Sequence, residues 1–130
     1  MLRNNYKNLE FYKASREIIP LVYEYTKKYP KEEQGFTGIV SQLRRASISV
    51  SSNIAEGSSR GNKEHYHFLV ISLGSLREIE TQIGISYDLK YISEEKYIYC
   101  KEKIDFAIGK LCNYMKIVGK DTFQNKYNNR

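Results

Sequence analysis

Tryptophan is absent from this chain of 130 residues, and proline, cysteine and histidine occur only twice each. Each scarcity excludes something. Two prolines and eight glycines supply too few turns for an all-β fold, which favours helices before any pattern is read. No stretch stays apolar for the eighteen or so residues that a membrane helix needs, and the opening MLRNNYKNLEFYK lacks the apolar run of a secretory signal. A cytoplasmic protein is therefore expected. Cys100 and Cys112 lie about 120° apart on a helix of 3.6 residues per turn, form no Cys-x-x-Cys, and read as small buried hydrophobes in a reducing compartment. His65 and His67 point about 200° apart on a helix, so they cannot chelate one metal together. No metal, cofactor or small-molecule substrate is expected.

The length suits one domain, since two cores would leave each half marginal. Aromatic character is carried mainly by 12 tyrosines, which suit half-buried helix faces and interfaces. The net charge is +6 and uneven. Basic residues outnumber acidic ones six to three over residues 1–28, three to one over 36–60 and six to four over 93–120. Such a protein is drawn to polyanions, although scattered lysines also describe a solvated helix face.

Apolar residues at three-four spacing predict four helices, over about 9–28, 36–58, 63–90 and 94–118. The first carries Phe11, Ser15, Ile18, Val22 and Tyr25, and is expected to kink at Pro20 and stop before Pro30. The second aligns Phe36, Val40, Leu43, Ser47, Val50 and Ile54. Its serine-rich half resembles a strand or linker by propensity, yet as a helix it forms a strip of small side chains that lets a neighbour approach closely. Asn62 is expected to cap the third helix and Ser93 the fourth. The helices are expected to form an all-α, antiparallel up-down-up-down bundle over residues 1–120, with a disordered polar tail over 121–130.

Few constellations carry chemistry. The pairs Glu78/Glu80 and Glu94/Glu95 do not share a helix face, which excludes an acid–base dyad within one helix. The run EGSSRGN lacks the Gly-Lys-Ser/Thr ending of a phosphate loop. Arg60 and His65 resemble the Arg-x4–6-His spacing of the helical HEPN ribonucleases, in which histidine and arginine act on the scissile phosphate. Arg44 and Arg45 interrupt the second apolar stripe, and either pair with carboxylates such as Glu78 or Glu80 or contact phosphate.

The segments Ser41-Gln42 through Asn53-Ile54-Ala55-Glu56-Gly57, then Phe68-Leu69 and Gly74-Ser75-Leu76-x-Glu78-x-Glu80-Thr81-Gln82, resemble the signature of the four-helix bundle family named for reading frames in 23S rRNA intervening sequences. The resemblance spans residues 8–119 and departs at Ser51, where proline is frequent, and at Asn62, where Ser or Thr is. It implies a helical second segment, a homopentameric ring, and no established enzymatic activity. Retroelement accessory variability proteins are similar in fold and form basic pentamers that engage a reverse transcriptase and nucleic acid. By that analogy RNA or ribonucleoprotein is the expected partner, with Arg44, Arg45 and Arg60 as candidate contacts. Asn53, Glu56, Gly57, Glu78 and Glu80 carry over as signature positions with open roles. A protein-interaction scaffold without nucleic acid is the alternative, and a metal-independent ribonuclease using Arg60 and His65 a further one.

Overall fold

The computed structural model describes the backbone of residues 3–128 and the side chains of residues 5–122. Among the described residues it is all-α. Four helices, α1 (Glu10–Thr26), α2 (Ile39–Ser58), α3 (Asn62–Asp88) and α4 (Glu94–Asn128), are accompanied by short 3-10 turns at Arg3–Asn8 and Lys31–Glu33. Helix α1 packs on α2 and α4, and α3 packs on the same two.

The apolar stripes become the core. Phe11, Ser15, Ile18, Val22 and Tyr25 of α1 are all buried. They meet Leu43, Val50 and Ile54 of α2, Leu69, Leu76, Ile79 and Ile83 of α3, and Ile104 and Leu111 of α4. Pro20 stays inside α1 but on its exposed side, where the Arg16 carbonyl that loses its donor can bond water instead.

The serine-rich half of α2 is helical. Ser47 and Ser58 donate back to the carbonyls of Arg44 and Ala55, at 2.8 and 2.6 Å, so their hydroxyls are satisfied without breaking the helix. Ser49 and Ser51 work between helices. Ser72 Oγ donates to the Val50 carbonyl at 2.9 Å, Ser75 Oγ to Ser49 Oγ at 3.0 Å, and Ser15 and Ser51 share a buried bond of 2.8 Å between α1 and α2. Gly57 continues this close approach, since a Cβ there would lie 2.6 Å from Phe68 Cβ.

Four expectations are corrected. Helix α2 begins at Ile39 rather than Phe36, because Gly38 N–H bonds the Gly35 carbonyl and the turn folds onto Glu33 so tightly that a Cβ on Gly38 would come 2.1 Å from the Glu33 carbonyl oxygen. Phe36 consequently leaves the stripe and is 80% exposed. Asn62 is the first helical residue of α3; Gly61 occupies the capping position and no side chain caps it. Helix α4 runs past Gly119 to Asn128, where residues 121–130 were expected to be disordered; Asn129 and Arg130 lie outside the described residues. A Cβ on Gly119 would come 3.1 Å from the Tyr66 ring, so its smallness serves packing.

Ser93 caps α4 as expected, its Oγ accepting the Lys96 N–H at 3.2 Å. Helix α3 ends with Lys90 at φ 64°, the Lys90 N–H bonding the Tyr87 carbonyl and the Tyr91 N–H the Ser86 carbonyl, both at 2.9 Å. This pair of bonds is a Schellman motif with lysine in the left-handed position that glycine usually fills.

Candidate nucleic-acid interface

Arg44 sits half-buried on α2, one position beyond the core residue Leu43. It reaches α1 rather than α3: its Nε donates to Thr26 Oγ1 at 3.1 Å, and its guanidinium lies 4.6 Å from the Tyr23 ring centroid. Thr26 can accept because its own hydroxyl proton goes to the Val22 carbonyl at 2.6 Å. Arg45 is exposed and lies 5.2 Å from the ring centroid of Phe36, the aromatic that left the stripe. Among the described residues neither guanidinium has a carboxylate within 4.0 Å, so the ion pairs with Glu78 or Glu80 that their spacing allowed are not formed. Lys27 and Lys28, exposed and just beyond Thr26, extend the positive charge at this end of α1. Aromatic faces hold both arginines while their charge remains unneutralised by acid.

Arg60 is placed differently. It closes the turn after α2, pairs with Glu56, lies 3.5 Å from Glu64, and stacks 5.6 Å from the Phe68 ring centroid. Its hydrogen bond to Glu56 raises its already high pKa. Its charge is locally balanced. From Arg45 to the end of α2 is about 20 Å at 1.5 Å per residue, so the three candidate arginines do not form one patch.

His65, the other half of the ribonuclease-like pair, is only 2% exposed. Its Nε2 shares a 2.9 Å hydrogen bond with the Tyr114 hydroxyl of α4, and its Nδ1 lies over Gly57. Arg60 faces solvent and His65 the interior, because five positions along the chain carry them across the turn and onto different faces of the first turns of α3.

The remaining signature residues fall at separate places. Asn53 Nδ2 donates to the Ser49 carbonyl at 2.8 Å and to Ser49 Oγ at 3.0 Å, which orients the hydroxyl that meets Ser75. Glu80 lies 3.4 Å from Arg77. Glu78 lines a groove of about 600 Å³ between α2 and α3, together with Gln42, Gly74, Thr81 and Gln82. The two glutamines form a relay there: Gln82 Nε2 donates to Gln42 Oε1 at 3.1 Å, and Gln42 Nε2 to the Thr37 carbonyl at 3.3 Å. Sequence reasoning did not find this relay, or the stacking of Arg44 on Tyr23, since neither follows from spacing within one helix. Among the described residues no group of three or more His, Cys, Asp and Glu could hold a metal ion, and no helix is long and apolar enough to cross a membrane.

Fold and surface together define an all-α protein of four packed helices with an arginine pair held on aromatic rings. The model of the family described as 23S rRNA-intervening sequence protein matches residues 7–113, and the chain belongs to that family. No curated protein matches the sequence.

Proposed function

We propose that this protein is a non-enzymatic, homo-oligomeric helical bundle that contacts RNA or a ribonucleoprotein through the surface around Arg44 and Arg45. The observation that carries the reading is the pair of guanidiniums set on Tyr23 and Phe36 without a carboxylate in salt-bridge range, beside Lys27 and Lys28. A structural arginine gains most from a carboxylate partner, whereas a phosphate contact needs its charge left available. Arg60 drops behind these two, since Glu56 and Glu64 already occupy it.

The proposed topology is antiparallel, up-down-up-down. Its support is the order of the contacts: Gln42 meets Gln82 while Ser49 meets Ser75, Glu10 meets Lys110 while Glu17 meets Lys103, and His65 meets Tyr114 while Tyr87 stacks on Tyr97. In each helix pair early residues contact late ones. Such a bundle places α2 diagonally from α4, leaving the arginine face free while other faces associate, in a ring or otherwise.

The ribonuclease alternative loses ground because a general acid or base must reach the proton it moves, and His65 is enclosed by α2 and α4. The test is RNA binding titrated at low and high salt. Binding that falls steeply with salt supports the proposal, because phosphate contacts release counterions; binding that ignores salt, or no binding at all, leaves the scaffold reading.

A further inference from the structure

The outer face of α4 carries a pattern that the single chain does not use. Glu95, Tyr99, Glu102, Phe106, Gly109, Asn113, Lys116 and Lys120 are all exposed, and they follow one another at alternating steps of four and three residues. That is the spacing of a coiled-coil seam, on the side of the helix turned away from its own core. Ile98 and Ile117, 46% and 57% exposed, flank it, as do Asp105 and Lys110. Charge is segregated along the seam itself: Glu95 and Glu102 precede Gly109, and Lys116 and Lys120 follow it, while Lys103 and Lys110 lie on one flank. Glu95, Glu102, Lys116 and Lys120 have no ion-pair partner within 4.0 Å among the described residues.

We infer that α4 is the docking surface for a second copy of this chain, paired antiparallel about a two-fold axis that passes between Ala107 and Ile108. Reflection about that point sets Glu95 opposite the partner's Lys120 across the seam. Tyr99 meets the partner's Lys116 as a cation–π pair. Phe106 falls on the partner's Gly109. The two-fold axis repeats every one of these contacts, as an isologous interface must. A Cβ on Gly109 would meet nothing within 4 Å among the described residues, as is also true of Gly74 and Gly84 on α3, so packing within the bundle does not require its smallness. A Phe106 ring from a second helix does, since the missing side chain makes the hole that the ring fills. One pair opposes the register, Lys103 against the partner's Lys110 on one flank, and each of these lysines already has a carboxylate of its own chain, Glu17 and Glu10. A parallel pairing would instead set the acidic halves against each other and the basic halves likewise, so charge selects the antiparallel arrangement.

The inference deepens the self-association proposed above and is distinct from the RNA contact, because the α4 face includes neither Arg44 nor Arg45. A two-fold contact doubles whatever assembly the chain otherwise forms. Light scattering on Gly109→Leu is therefore expected to give half the mass of the parent protein, with helical circular dichroism and thermal midpoint unchanged or raised, because leucine favours helix over glycine. Lys120→Glu is expected to shift the association to at least tenfold higher concentration, and Glu95→Lys combined with Lys120→Glu to restore it by exchanging the signs of one pair. Masses equal to the parent's in all three variants would overturn the inference, as would failure of the double variant to recover what Lys120→Glu loses. If those masses are unaltered while RNA binding persists, this interface alone fails and the proposed function stands.

Discussion

Burial changes the chemistry of single side chains most at Cys100. Its thiol is fully enclosed beside Ile104 and is pushed up to about 12, chiefly by desolvation, with Lys103 pulling weakly the other way. Tyr25 is likewise raised to about 12, mainly by desolvation and then by Cys100. Both groups are neutral in the folded protein at a pH where the unfolded chain ionises them. The unfolded state then holds fewer protons, and stability falls as pH rises from about 9, where the free thiol ionises, through 12. Alkaline unfolding followed by circular dichroism is expected to show this loss, and Cys100→Ala to flatten it while lowering stability at neutral pH by about 1–2 kcal/mol through the cavity left behind. In the native state a thiol reagent is expected to label half-buried Cys112 well before Cys100. Cysteine spacing indicated two buried thiols, and the structure separates them into one buried and one half-buried. The enclosure of His65 was not legible, because its position on α3 acquires meaning only from Tyr114, 49 residues away.

Helices meet closely where the side chains are small, and the α2/α3 contact depends on this. Gly57→Ala would drive a Cβ to 2.6 Å from Phe68 Cβ, and the backbone on both sides leaves little room to yield. A loss of about 1–3 kcal/mol in urea unfolding is expected, typical of an overpacked contact. Lys90→Gly has the opposite sign: at φ 64° a side chain is strained and glycine is not, so a gain of about 0.5–1 kcal/mol is expected in the same assay. The stripes of α1 to α4 were legible because burial follows the helical period. The boundaries were less so. Phe36 has the right spacing for α2 yet falls before Gly38, whose tight approach to Glu33 starts the helix later, and the apolar pattern of α4 ends at Val118 although the helix itself continues.

Charge acts over the whole molecule. A net charge of +6 attracts any polyanion, but where an anion is held depends on which cations lack an acid beside them. The sequence offers Arg44, Arg45 and Arg60 as candidate contacts; the fold separates them, since Glu56 and Glu64 flank Arg60 across the turn while among the described residues Arg44 and Arg45 have hydroxyl and ring partners. The difference is expected in binding. The most direct measurement is the salt dependence of RNA affinity for the parent protein, Arg45→Ala and Arg60→Ala, chosen because both side chains are exposed and their removal leaves the core intact. Affinity is expected to fall with salt, Arg45→Ala to weaken binding and lower the slope of log K against log salt by about 0.7–0.9, the share of one phosphate contact, and Arg60→Ala to leave the slope unchanged. A slope equally affected by both variants, or by neither, would contradict that expectation.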